Sequence, residues 1–260
     1  MRRLLTIWAA IGCLATPAFA DVTVTSKVSG KGVAQMADGQ AVTYIKGLKM
    51  RTDSSAGGKN TSLILDLENQ KMLSLDHGRK QVEVHDMTKL RQDLQKAMKG
   101  ASPSATVTPN GRTEQIAGQA ATGYDVSVTM PMTMGPDQNM KMIMSGPVFV
   151  VKGAPGTEDF TRFYMAASER GFILSDPAAA KAMPQQGQGM TELYRKMAET
   201  GGIPYRMEMS MKVEGGGPMA GMMNKMMANA SFAHEVTAVS TAAIAADRFE
   251  VPAGYRVKNN

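Results

Sequence analysis

The chain has 260 residues, a formal net charge of +6 and a single Cys. This length allows one sizeable hydrophobic core, and one Cys excludes both a disulfide framework and a Cys-based metal site. The positive charge is dispersed rather than gathered in a Lys/Arg run, which excludes a typical nucleic-acid surface and leaves at most a weak peripheral contact with anionic membranes.

The N-terminal segment 1–20 has the organisation of a secretory signal peptide. Arg2 and Arg3 precede an apolar run over 4–14, and Ala18 and Ala20 supply small residues at a cleavage site. The run is too short to span a membrane. We therefore expect a periplasmic protein with the signal peptide removed.

The mature chain is then expected to start at Asp21 and to form one domain over 21–260. The alternative is a lipoprotein anchored at Cys13. Ala10 and Ile11 before that Cys fit a lipobox poorly, so anchoring is the weaker interpretation. Cleavage after residue 20 also removes the only Cys and the only Trp.

The first third of the mature chain has the pattern of an antiparallel meander. Apolar and polar residues alternate in several segments, as in strands with one face buried and the other in water. Short polar or Gly-containing joins separate the segments. The predicted strands cover 21–35, 41–53, 62–67, 71–76 and 81–86.

A helix is predicted next, over 87–99, with Asp86 as its N-cap and Gly100 as its stop. Strands are predicted to resume over 105–130, with a turn at 109–111, and again over 146–153. The Pro-Asn-Gly sequence of that turn is a typical reversal signal.

Two further helices are predicted in the second half of the chain. Thr157 can cap a helix over 158–170 that carries Phe160, Phe163 and Tyr164 on one face. After a loose Ala/Pro/Gln stretch at 177–189, a helix over 190–200 is predicted. Strands are then expected near 203–214 and 231–240, and the chain closes with 249–257.

Several of these segments resemble a family of bacterial periplasmic proteins known only as a domain of unknown function, with a fold like the lipoprotein carriers LolA and LolB. The matching stretches are YIKGLKMRTD (44–53), LDLENQKMLSLDHGRKQVEV (65–84), IAGQAATGYDV (116–126) and FEVPAGY (249–255). The resemblance implies an α+β, mostly β fold: a curved antiparallel sheet forming a LolA-like open half-barrel, with helices covering its concave side. In the Lol carriers such a hollow accepts acyl chains.

Methionine is the most unusual feature of the composition, with 24 Met against 13 Leu. The Met residues concentrate in two segments, 130–144 and 207–227, which we expect to form extended hairpins or a mobile flap. A turn centred on Asp137 would pair Met134 with Met140, Met132 with Met142 and Met130 with Met144. Met207, Met209 and Met211 share one face of a strand.

The segment after Pro218 has helical spacing instead. Met219, Met222, Met223, Met226 and Met227 follow i, i+3, i+4, i+7, i+8, which predicts one side of a short helix. The fourteen Met residues named for the two segments are the predicted ligand-binding set. Three interpretations stay open for them: core packing, a surface for a lipid, acyl chain or lipoprotein, and Cu(I) binding.

Nothing in the sequence indicates catalysis or a cofactor. His77, His85 and His234 are scattered, and neither HExxH nor CxxC is present. An enzyme would require folding to bring a carboxylate, a His and a hydroxyl together in a cleft. His234 could join Met ligands only if its strand lay beside 207–211. We predict a non-enzymatic binding protein without a cofactor.

Overall fold

The computed structural model describes residues 21–32, 38–97, 102–133, 139–172, 174, 177–215 and 218–259. The predicted signal peptide, Cys13, Met134 and the turn at Asp137 lie outside the described residues. Within the described ranges, no helix is long and apolar enough to cross a membrane.

The fold is α+β and mostly β, as predicted. Its twelve described strands form one open sheet, in the order β12-β6-β5-β4-β3-β2-β1-β11-β10-β9-β8-β7. The strands are β1 (Val22–Lys31), β2 (Gly39–Lys46), β3 (Lys49–Ala56), β4 (Lys59–Asp66), β5 (Lys71–Asp76), β6 (Gln81–Asp86), β7 (Ser104–Ile116), β8 (Gln119–Thr133), β9 (Asn139–Lys152), β10 (Gly202–Gly215), β11 (Ser231–Ser240) and β12 (Arg256–Asn259).

The sheet is antiparallel except at one edge, where β12 runs parallel to β6. Two strand predictions are wrong. The segment 41–53 is a hairpin of β2 and β3 that turns at Gly47, whose φ of 56° needs the left-handed region. The chain also does not reverse at 109–111: β7 continues past a register shift between Pro109 and Thr113, and it turns only at 117–118.

Five α-helices are described: α1 (Met87–Ala97), α2 (Thr157–Glu169), α3 (Pro177–Ala182), α4 (Pro184–Glu199) and α5 (Pro218–Met227). A short 3₁₀ helix follows at Ala246–Phe249. The predicted cap of α1 is confirmed, because Asp86 Oδ1 accepts hydrogen bonds from the amides of Thr88 and Lys89 at 2.8 and 3.0 Å. Thr157 does not cap α2. It is the first helical residue, and Gly156 is the N-cap without a side-chain bond.

The stretch 177–189 is helical rather than loose. Pro177 and Pro184 each stand at the start of a helix, where the missing amide of Pro costs nothing. Gly189 lies inside α4 where the helix crosses β8, and a Cβ there would lie 3.0 Å from side-chain atoms of Val128 and Met130. Gly189 therefore permits close packing of the helix on the sheet.

The two faces of the sheet are covered by different elements. We call the face that carries Val22, Ile45 and Leu65 the inner face, and the opposite face the outer face. On the inner face, α1, α2 and α4 pack on strand residues such as Val22, Ile45 and Leu65 in one buried cluster. On the outer face, Ile64 and Leu75 pack against Ile244 and Phe249 of the C-terminal segment. This segment crosses behind the sheet before it adds β12 to the edge.

We predict opposite effects of Gly→Ala substitution in α4 and α5. Gly221→Ala in α5 should raise the free energy of unfolding by up to about 1 kcal/mol, because a Cβ there meets no neighbour within 4 Å. Gly189→Ala should lower it by about 1 kcal/mol, because crowding against β8 exceeds the helix-propensity gain. Urea unfolding of both variants tests this, and equal stabilisation by both would contradict the packing.

Candidate functional site

The methionines of the hairpin lie on two adjacent strands, but two residues out of the predicted register. Met130 pairs with Met142 and Met132 with Met140. All three predicted pairs are therefore wrong, since Met140 and Met142 have other partners and Met130 no longer faces Met144. Because side chains alternate with a period of two, a shift of two leaves every described Met on the predicted face.

The third Met-bearing strand, β10, lies beside the hairpin in the sheet. Met211 pairs with Met144 of β9, and Met207 and Met209 are buried. Of the two forms expected for the Met-rich segments, 130–144 follows the extended hairpin in its described part, where β8 pairs with β9. Segment 207–227 is neither a hairpin nor a flap, because strand β10 of the main sheet is followed by helix α5. The three strands carry these Met side chains on the face of the sheet that α4 and α5 cover.

These side chains belong to two adjoining buried clusters, and we call the thirteen methionines of the two clusters the methionine layer. Met190 and Met197 of α4 contribute from above the strands. The members are Met130, Met132, Met140, Met142, Met144, Met190, Met197, Met207, Met209, Met211, Met219, Met223 and Met227. Met190 and Met197 are not in the predicted set, because nothing in the sequence indicates that α4 packs on the Met-bearing strands.

The five methionines of α5 do not lie on one buried side. Ala220 is buried, while Met222 and Met226 are 54% and 61% exposed. The buried side of α5 is rotated from the predicted one because Asn224 bonds both backbone groups of Val213: its Oδ1 accepts from the amide at 2.7 Å and its Nδ2 donates to the carbonyl. β11 pairing ends at Ser210, so Asn224 takes the place of the missing strand at Val213.

A cavity of about 940 Å³ lies beside the methionine layer, between the inner face and helices α2 and α4. Its walls include Phe160 and Tyr164 of α2, Tyr194 of α4, and Phe232 of β11. Of the predicted ligand-binding methionines, only Met207 lines it among the residues that the structure describes. The hollow and the bulk of the methionines are therefore neighbours rather than one site.

Seven Ser and Thr residues of the strands line the cavity. We call the six whose side chains lie on its side of the sheet the hydroxyl floor; the seventh, Ser62, alternates to the other face of β4. The six floor residues occupy successive strands from β1 to β5, and Thr43 Oγ1 lies 3.0 Å from Thr52 Oγ1 across β2 and β3. Ser54 stands directly opposite Thr61 in the next pair of strands. The members are Ser26, Thr43, Thr52, Ser54, Thr61 and Ser74. Alternation of apolar and polar residues gives no signal for such a surface, because Ser and Thr are ordinary residues of exposed strand faces.

His234 lies at the junction of the cavity and the methionine layer. It stands directly opposite Met207 on β10 and opposite Val28 on β1. Its Nδ1 is buried without a hydrogen-bond partner in the part of the chain that the structure describes. Burial lowers the pKa of His234 from 6.5 to about 4, so the ring is neutral near pH 7.

The aromatic wall of the cavity is also uncharged. The rings of Tyr164 and Tyr194 stack with centroids 5.2 Å apart, and burial raises the pKa of both phenols above the ordinary value of 10. These rings present flat apolar surface to the hollow.

A carboxylate, a His and a hydroxyl do meet, at Asp53, His77 and Ser62. Ser62 Oγ lies 2.6 Å from His77 Nε2 and donates to Asp53 at 2.5 Å. Ser62 is only 2% exposed, and Tyr255 bonds the other ring nitrogen of His77. Through these bonds the cluster joins β4 to Tyr255 of the C-terminal segment.

The remaining histidine, His85, is buried in β6 and lies 3.8 Å from a carboxylate oxygen of Glu83. Over the described ranges, no three His, Cys, Asp or Glu side chains are grouped so that they could hold a metal ion.

No protein-family model matches the chain, and no curated protein matches it. Among solved structures, the chain is similar to an uncharacterized conserved protein from Thermus thermophilus. The two chains are 7% identical, with a TM-score of 0.42 over 93% of this chain and 91% of the other. At this level neither a fold family nor a function is transferred.

We predict that His234 makes the protein less stable in acid. The folded chain protonates this ring only near pH 4, whereas the unfolded chain does so near pH 6.5. The free energy of unfolding should therefore fall by roughly 3 kcal/mol as the pH drops across that window. Urea unfolding of the parent and of His234→Phe checks this, since the variant should lack this part of the decline. Parallel curves would show that His234 does not titrate as its burial implies.

Proposed function

We propose that the chain is a non-enzymatic periplasmic protein that binds a hydrophobic ligand: a lipid, an acyl chain or the acylated end of a lipoprotein. The observation that carries this proposal is the cavity of about 940 Å³ between the sheet and helices α2 and α4. This volume is at the upper end of the range of small-molecule sites, which is roughly 300–1,000 Å³. The resemblance to the Lol carriers adds the finer proposal of a half-barrel.

The methionine layer has a supporting role in this proposal. Met207 belongs both to the methionine layer and to the cavity wall. A change in the shape of the cavity at Met207 can therefore be accommodated by rearrangement of side chains in the layer. Met side chains are unbranched and change rotamer easily. A ligand of variable length can therefore extend the cavity toward the layer by repacking thioethers, without unfolding a strand.

The binding site is tested by filling the cavity. Ser54→Phe places a bulky ring on the hydroxyl floor, whereas Ser55→Phe places the same ring on the exposed, opposite side of β3. We expect Ser54→Phe to weaken binding of the fluorescent probe N-phenyl-1-naphthylamine at least tenfold and Ser55→Phe to leave it unchanged. Fluorescence titration of both variants, with circular dichroism as a folding check, gives the answer.

The same titration separates the cavity from the methionine hairpin. Replacing Met130, Met132, Met134, Met140, Met142 and Met144 with Leu keeps apolar volume nearly constant, so probe binding should survive. Absence of probe binding by the parent, or equal binding by the two Phe variants, would contradict a ligand site in the cavity.

A second candidate function is Cu(I) binding, and one observation favours it. β11 does lie beside β10, with His234 opposite Met207, at a Cβ separation of about 5 Å for a directly opposed pair. The unpartnered Nδ1 is neutral near pH 7, the state in which imidazole binds metals. A thioether and an imidazole form a donor pair suited to a soft cation.

Anaerobic Cu(I) titration against a competing chelator tests this second function. We expect Met207→Leu and His234→Phe each to weaken binding at least tenfold, because each removes one donor and keeps an apolar side chain. Met222→Leu on the exposed edge of α5 is the control and should bind as the parent does. A parent that fails to compete for Cu(I), or variants that bind equally well, would exclude a site at this pair.

A further inference from the structure

The inner face of the first five strands is divided into two chemically different halves. In one half, Ile45, Met50 and Met72 are buried beneath the helices. A few residues along the same strands, the inward positions carry the hydroxyl floor. Inward positions of a half-buried sheet are expected to be apolar, so the floor departs from the pattern that stability alone favours.

The hydroxyl floor is also the part of the inner face that borders the cavity. Thr43 and Thr52 bond each other, and Ser26 Oγ donates to the carbonyl of Ala41 at 3.3 Å. Each hydroxyl oxygen that donates still has lone pairs to accept from a further donor. A purely apolar ligand would cover these groups without replacing their hydrogen bonds to water, which costs free energy.

The described lining contains a single formally charged side chain. Lys59 stands at the exposed beginning of β4, and no Asp or Glu contributes to the described lining. His234 adds an uncharged ring with an unpartnered nitrogen. A buried charge on a ligand would have no opposite charge deep in the cavity, and an unpaired buried charge is strongly disfavoured.

We propose that the cavity binds a single-chain amphiphile whose head group is uncharged and bears hydroxyl groups, a monoacylglycerol being the simplest example. The head group lies on the hydroxyl floor, and the chain runs along Phe160, Tyr164 and Tyr194 toward Met207. This inference rests on the proposed function, because it assumes a ligand in the cavity and specifies its chemistry.

Three ligands with one acyl chain separate the head-group chemistries. Displacement of N-phenyl-1-naphthylamine by monoolein, methyl oleate and oleate, each below its aggregation concentration, gives their relative affinities. Monoolein should bind about tenfold more tightly than methyl oleate, which lacks hydroxyls, since two added hydrogen bonds are worth about that factor. Oleate should bind no more tightly than monoolein.

The double variant Ser54→Ala/Thr61→Val removes two floor hydroxyls that face each other across β3 and β4. It should abolish the advantage of monoolein over methyl oleate, which is measured as the ratio of the two dissociation constants within the variant. Ser55→Ala, on the opposite side of β3, is the matched control and should retain the full advantage.

The outcomes distinguish the two levels of the proposal. If the probe does not bind the parent, the proposed function fails and the inference fails with it. If the probe binds but monoolein has no advantage, or keeps it in the double variant, only the head-group assignment is overturned. Tighter binding of oleate than of monoolein would show that Lys59 selects a charged head group instead.

Discussion

The architecture depends on which part of the inner face of the open sheet the helices cover and which part they leave uncovered. Strand alternation sends every second side chain inward, and where those side chains are apolar the helices close over them: Phe163 of α2 and Leu94 of α1 are buried with Ile45 of β2. Where the inward residues are Ser and Thr, a helix that packed on them would bury little apolar area and gain little free energy from burial. The cavity is therefore a consequence of where the hydroxyls stand, and the aromatic wall of α2 and α4 is simply the nearest apolar surface across it.

The methionine layer solves a separate packing problem. β8, β9 and β10 are longer than the strands β1 to β6, and their inner face is covered by two helices of different length. Flexible thioethers fill the irregular space between α4, α5 and the strands, while Gly189 lets α4 approach closely. Asn224 satisfies the backbone of β10 where β11 no longer pairs with it. Core packing thus accounts for most of the methionines, and Met207 connects this layer to the hollow.

The sequence predicted much of the strand meander, the Asp86 cap and the buried side of α2, because each depends on local alternation or capping. It failed where distant segments decide the outcome. The Ala/Pro/Gln composition of 177–189 suggested a loose stretch, whereas packing on β8 makes its second half part of α4. The orientation of α5 depends on Val213, a residue on another element. The hydroxyl floor could not be foreseen because alternation shows that two faces differ, but not that a face changes character midway along its strands.

We propose that a ligand occupies the cavity rather than the exposed methionines of α5. The most direct measurement is photo-crosslinking with a monoacylglycerol that carries a diazirine near the end of its chain, followed by peptide mapping of the labelled sites. The account predicts label on the cavity wall, at Tyr164, Tyr194 or Met207. Label concentrated at Met222 and Met226 would contradict it and would place lipid contact on the outside of the protein.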